Sequence, residues 1–147
     1  MPSLVDPLAN YCFAIEIHGM AIAQFKEISG IGMSIGVIEN RQNQLKQQPV
    51  LQKLPGTVKY DDIHLSRGKV SDKEFWNWIK QVKEGHISQA RKDGSIILLD
   101  FDFASEIHRI NFFGAWPIRV EIGKLTAGGE QVLLETVVLA VERIEVA

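Results

Sequence analysis

The sequence predicts a mainly β protein: two packed antiparallel sheets forming a small barrel-like domain, with one flanking α-helix at about residues 71–84. Two observations carry this. Most apolar segments are short, rich in β-branched and aromatic residues, and punctuated by Gly, Asp or Pro, which is the grammar of strands. Only one stretch has a clear helical period.

The expected strands are Tyr11 to Ile17, Ala21 to Ile28, Gly36 to Arg41, Val58 to Ser66, Ser95 to Phe103, Glu106 to Phe113, Ile118 to Ile122 and Gln131 to Ile144. His18-Gly19 and Asp93-Gly94 suit tight turns with positive φ, Pro55-Gly56 a type II turn, and Ala127-Gly128-Gly129 a looser hairpin loop. Alternation after Glu106 puts Ile107, Arg109, Asn111 and Phe113 on one face, and His108, Ile110 and Phe112 on the other. By contrast, Ile96 to Leu99, Val132 to Leu134 and Val137 to Val141 are apolar on both faces. Such strands are covered on two sides, by a second sheet and a helix or by a neighbouring subunit.

In the helix, Ser71 and Glu74 have capping-box spacing, and Val70 with Phe75 can staple the first turn. Phe75, Trp78, Ile79 and Val82 recur at i, i+3, i+4 and i+7, and Gly85 stands at the expected end. Trp76 lies off that stripe, as core flank or as a contact for another molecule.

The 147 residues read as one domain, without repeats, low-complexity tracts or linkers. A chain of this length buries about 68–70% of its unfolded surface, so a core needs no staple. With 16 Lys plus Arg against 18 Asp plus Glu, and 46% hydrophobic residues, the chain is too apolar for disorder and too neutral for bulk attraction to nucleic acid. No apolar run reaches the roughly 18 residues of a membrane span, and Met1 to Asn10 lacks the basic start and apolar stretch of a secretory signal. A single cysteine, Cys12, fits a reducing compartment, so synthesis in the cytoplasm is expected.

The residues offer little chemistry. His18, His64, His86 and His108 stand far apart without metal-ligand spacing. Asp61-Asp62 diverge on a strand, and Asp100 and Asp102 share a face near a turn; both pairs read as solvated carboxylates. Ser29-Gly30-Ile31-Gly32 lacks the later glycine and the helix of a phosphate loop, so its glycines mark a bulge or a close backbone approach. Cys12 reads as an inert buried thiol. No catalytic, cofactor or metal site is expected. The polar arm at about 41–54 is distinctive: Arg41 to Lys53 holds five Gln, one Asn and three cations but no acid. It suits either a solvated hairpin arm or a subunit contact that orders on assembly.

Several segments, in order, resemble the tail tube protein family of contractile injection systems, which includes the inner tubes of contractile phage tails, R-type bacteriocins and extracellular injection particles. They are FAIEIHGMAIAQFKEISGIGMSIGVIENR from Phe13, LPGTVKYDDIHLSRG from Leu54, DKEFWNWIKQVKEG from Asp72, RKDGSIILLDF from Arg91, INFFGAWPIRVEIGKL from Ile110 and EQVLLETVVLAVERIE from Glu130. The specific signals are LPG-x-x-KY followed by L-x-RG, a Trp helix, an RKDG turn, N-x-x-x-AWP and a terminal E-T-V-x-L-A-x-E strand. Gln42 to Gln52 departs from the short glycine-rich stretch expected there.

The resemblance implies a structural subunit and no enzyme. Hexameric rings would stack into a hollow tube inside a contractile sheath, and sheath contraction would drive the tube through a target envelope with cargo in its lumen. Partners would be other copies, the sheath, baseplate and tube-terminating proteins, and a tape-measure protein; no sequence-specific nucleic-acid binding is implied. Assembly would occur in the bacterial cytoplasm, within a phage tail or a phage-tail-like particle that is released or membrane-anchored. The expected assembly residues are Arg41, Gln42, Lys46, Lys53, Tyr60, Arg67 and Trp76, with strands near Ile28 to Arg41 and Glu106 to Phe113 facing the lumen. Alternatives are a tube-initiating baseplate paralogue, a tube protein like that of type VI secretion, or a monomeric β-barrel ligand-binding module.

Overall fold

A computed structural model describes residues 12–18, 20–22, 25–42, 50–68, 73–99, 106–125, 127–128 and 133–147. The elements are β1 (Cys12–Ile17), β2 (Met20–Ile22), β3 (Glu27–Ser29), β4 (Met33–Gln42), β5 (Val50–Tyr60), β6 (Ile63–Gly68), α1 (Glu74–Lys83), α2 (Ile87–Ala90), β7 (Lys92–Leu99), β8 (Glu106–Ile122), β9 (Leu134–Ala140) and β10 (Arg143–Val146).

β8 is the spine. Its first part pairs with β7 on one side and β10 on the other, while its second part, from Trp116, pairs with β9. The whole order is β2-β1-β7-β8-β9-β6-β3 with β10 beside β8, every pairing antiparallel. One strand thus joins two sheets. Sequence punctuation suggests two strands here, Glu106 to Phe113 and Ile118 to Ile122; the structure bends one strand between them. Gly114 takes φ 64, a left-handed conformation that costs other L-residues about 1–2 kcal/mol, and the register slips between Pro117 and Arg119. Asp93 accepts the Gly114 N–H at 2.9 Å.

The core joins Ile15, Ile17 and Ile96 of one sheet to Leu65, Val137 and Leu139 of the other, with Phe112 between. Helix α1 adds Phe75 and Trp78, as its stripe predicts, and the Trp78 indole N–H donates to the Ala90 carbonyl, tying α1 to α2. Ile110 and Phe112 face inward and Ile107 outward, matching the predicted alternation. Ile96, Ile97, Val137, Val138 and Leu139 are all buried within the subunit.

Several expectations are corrected. The helix starts at Glu74, with Lys73 in the cap position, rather than at residue 71; Ser71 and Val70 lie outside the described residues. Gly85, at φ 85, ends α1, and the short α2 follows without having shown a helical period. Gly94 is no turn residue: it sits within β7, where an added Cβ would lie 2.4 Å from the Glu16 carbonyl oxygen and 2.5 Å from Phe112 Cζ. Pro55-Gly56 lies inside β5, at the irregularity opposite Gly36, rather than at a turn. The run Val58 to Ser66 is broken at Asp61-Asp62 into β5 and β6, Ala21 to Ile28 into β2 and β3, and Gln131 to Ile144 into β9 and β10. Among the described residues the sheet remains open, running from β2 to β3 without closing on itself.

Candidate assembly surface

Strands β4 and β5 form a separate two-stranded sheet, continuing β3 and β6 outward. The junction is tight. The Asp61 N–H donates to the Gly32 carbonyl at 3.0 Å, and a Cβ on Gly30 would meet the Asp62 carbonyl oxygen at 2.2 Å, the close backbone approach expected for this glycine pair. Residues directly opposite in an antiparallel pair share a face. The pairs Met33↔Tyr60, Ile35↔Val58 and Val37↔Pro55 therefore make the first half of one face apolar, with Glu39↔Lys53 next along it, while Ser34↔Lys59 and Asn40↔Gln52 are polar pairs on the other face, beside Ile38↔Leu54.

That apolar face is open. Met33 and Val37 are each 62% exposed, Ile35 52% and Val58 47%. A lone two-stranded hairpin is at best marginally stable in water, and contiguous exposed apolar residues mark a contact surface.

A second surface lies on β3, β6, β9 and the end of β8. Register places Glu27, Ser66, Thr136 and Glu121 in one cross-sheet row, and Ser29, His64, Val138 and Arg119 in the next. Their intervening neighbours Ile28, Leu65, Val137 and Val120 point to the core, so these rows form the outward face. A shallow depression of about 180 Å³ there is lined by Glu27, Ser29, His64, Leu65, Ser66 and Thr136. The outer strands of this sheet, β3 and β8 from Trp116, have a partner on only one side among the described residues.

The sequence-predicted contact residues are dispersed. Arg41 and Gln42 end β4, opposite Leu51 and Val50, and Lys46 lies outside the described residues. Lys53 is exposed opposite Glu39, and Tyr60 is half-buried opposite Met33. Trp76 is exposed on α1, away from Phe75 and Trp78. Arg67 is instead inside the subunit, 4% exposed, its Nη2 donating to Glu135 Oε1 at 3.2 Å across the β6–β9 ladder. Its guanidinium lies 4.6 Å from the Phe75 ring centre and 5.8 Å from that of Phe25. Sequence reasoning did not single out Met33, Ile35, Val37 and Val58 as contacts; their period-two spacing was the available signal.

Outside these surfaces, Arg109 donates twice to the Glu106 carboxylate, at 2.7 and 3.0 Å, and once to Glu16 at 3.2 Å. The hydrogen bonds from Arg109 hold the Glu106 carboxyl below its usual range and raise the Arg109 guanidinium. Asp100 and Asp102 lie outside the described residues, and among the described residues no three His, Cys, Asp or Glu side chains gather as metal ligands.

Among the described residues, an open apolar hairpin and two sheet edges without an outer partner give the geometry of a building block. Residues 9–145 match the family described as T4-like virus tail tube protein gp19. The chain belongs to this family. It is a tail tube protein, and its work is structural. No curated protein matches it in sequence. Its fold is similar to a chain in the cryo-EM structure of the anti-feeding prophage tube-terminating cap, at 21% identity and TM-score 0.81, covering 99% of this chain and 93% of that one. It is also similar to a chain of an extracellular contractile injection system, the PVC sheath–tube complex in the extended state, at 20% identity and TM-score 0.77, covering 96% and 90%. A more distant likeness is Hcp1 from Flavobacterium johnsoniae, at 15% identity and TM-score 0.56, covering 92% and 94%. The tail tube protein shares with these the fold; its contacts follow from its own surfaces.

Proposed function

We propose that this tail tube protein forms hexameric rings that stack into the hollow inner tube of a contractile injection particle, a conduit that sheath contraction drives through a target envelope. It catalyses nothing; its activity is rigid self-assembly. The observation that carries this reading is the four-stranded sheet β3-β6-β9-β8, whose outer strands, β3 and β8 from Trp116, have no partner on their outer sides among the described residues. With an even number of antiparallel strands, β3 and β8 run in opposite directions, so copies related by rotation meet antiparallel at every seam. Such head-to-tail contacts close into a ring and cover both edges of this four-stranded sheet.

The same geometry supports a lumen lined by the polar rows that hold Glu27, His64, Arg119 and Glu121. This keeps the neighbourhood of Ile28 as a lumen strand and moves Glu106 to Phe113 to the other sheet, away from the bore. The apolar hairpin, with Lys53 near its end, serves stacking: its exposed face is buried on the next ring. Trp76 on α1 is a further contact. The sheath, baseplate and terminator proteins are the partners this reading supplies, with a tape-measure protein and cargo in the bore, and assembly in the bacterial cytoplasm.

Negative-stain microscopy of purified protein tests the proposal, the expected images being rings and tubes. A uniformly monomeric protein at high concentration with baseplate components present defeats it. The likeness to a tube-terminating cap supports a second reading, a component at the tube's end. Rings that never stack under conditions where the sheet seams form favour that reading; long tubes favour the main subunit. Replacing Met33, Ile35 and Val37 by Ser leaves the subunit folded, because these side chains stand outside the core, and blocks stacking.

A further inference from the structure

Resting on the ring reading, we infer that the seam between neighbouring copies is set in register by an ion pair between Glu27 of one subunit and Arg119 of the next. The two residues occupy the two free edges of the polar sheet. Glu27 opens β3, and Arg119 lies on the last stretch of β8; both are exposed on the same face of the sheet.

Three registers deserve comparison, because a slip of one residue would turn the polar face toward the core side, and only even steps preserve the faces. Within the subunit, Glu27 lies in the same cross-sheet row as Glu121, reached through Ser66 and Thr136. A seam with no stagger continues that row and sets Glu27 of one copy directly opposite Glu121 of its neighbour. Like charges directly opposite destabilise a sheet. A two-residue step in one sense sets Glu27 against Gly123, with no charge to meet. The step in the other sense sets it against Arg119, with Glu121 left on the diagonal and the irregularity at Ile118 just beyond the pair. Only this register pairs opposite charges, and it supplies stagger of the kind that closing a sheet into a barrel requires.

Arg119 is suited to the role. It donates to the Glu121 carboxylate two residues along its own strand, through Nε at 3.0 Å and Nη2 at 2.8 Å, and its side chain remains 65% exposed. Glu121 therefore holds the guanidinium beside the free edge. A guanidinium carries five N–H donors, so it can keep Glu121 while accepting Glu27 as a second carboxylate. Pro117, which lacks a backbone donor, falls on an outer strand, where proline is tolerated.

Cross-linking measures the register directly. With Cys12 replaced by Ser, the pairs E27C/R119C, E27C/E121C and E27C/G123C are each mixed with an equal amount of Cys12→Ser protein, whose seams keep Glu27, Arg119 and Glu121, and oxidised as assembled rings. Directly opposite Cβ atoms stand about 4.5–5.5 Å apart and diagonal ones farther, against the roughly 3.5–4.5 Å of a disulfide. The expected result is a ladder of linked subunits for E27C/R119C, and at most traces for the other two. A charge swap gives the second readout. E27R or R119E alone raises the protein concentration at half-assembly about two- to fivefold, and E27R/R119E together restores it.

A ladder dominated by E27C/E121C or E27C/G123C overturns the register while leaving the ring intact. So does a double swap that assembles no better than the single variants. Wild-type protein that forms no rings refutes the tube reading itself, and the seam with it.

Discussion

Arg67 and Glu135 allow the energetics of the subunit to be tested separately from its assembly. They face each other across the β6–β9 ladder, with side chains 5% and 0% exposed, and Arg67 also covers the Phe75 ring. Replacing Arg67 by Leu leaves the Glu135 carboxylate buried without this cation; replacing Glu135 by Leu leaves the guanidinium buried without this anion. Breaking a buried pair from one side costs about 3–5 kcal/mol, because the remaining charge keeps its desolvation penalty. Against a total stability of about 5–15 kcal/mol for a domain, each single substitution removes at least about a fifth of the stability.

The double variant R67L/E135L removes both penalties and fills the space with apolar side chains. Its net change should stay within about 2 kcal/mol, the main loss being the cation–π contact with Phe75. Urea unfolding followed by circular dichroism gives the three free energies. It is best run in the background of M33S, I35S and V37S, which removes stacking, and at protein concentrations below those that form rings, so that assembly does not add to apparent stability. Single variants that each lose less than about 1 kcal/mol, or a double variant that loses the full sum of the singles, would refute the picture of a desolvated, mutually dependent pair.

Trp78→Ala should cost about 3–5 kcal/mol through the cavity left beside Phe75, and Trp78→Phe about 1–3 kcal/mol, since it strands the Ala90 carbonyl; thermal melts of both variants check the order. Gly94→Ala should cost about 1–3 kcal/mol and lower Tm, because its Cβ meets the Glu16 backbone and the Phe112 ring in a packed core; an unchanged Tm would contradict that packing. The depressed Glu106 carboxyl stabilises the fold above the ordinary carboxylate pKa, and that contribution fades as pH falls through the lower folded value. Following its side-chain carbon by NMR in wild type and in Arg109→Leu should show the midpoint returning upward; an unmoved midpoint would remove Arg109 as the cause.

The amphipathic stripe of α1 was legible in the sequence, because Phe75, Trp78 and Val82 recur with the period of a helix and the structure buries them on one side. So were the doubly apolar strands and the inward Phe112 face, since side-chain alternation is a local property of the backbone. The order of segments also carried the tube-family resemblance that the match over residues 9–145 bears out. Glycine and proline misled. At Gly94 and Pro55-Gly56 they read as turns, yet both sites lie inside strands, where the missing Cβ or the irregular register answers to a neighbour distant in sequence.

What the chain dictates alone is whatever depends on residues a few positions apart: strand-rich composition, one helix, and strand faces with polar or apolar character. Tertiary structure decided the rest. It bent β8 through two sheets at Gly114, folded Arg67 inward onto Glu135, and left Met33, Ile35 and Val37 exposed among the described residues. The reason is physical. Whether a side chain is a core group or a contact depends on which strand lies beside it, and strand pairing joins segments such as Arg67 and Glu135 that lie far apart along the chain.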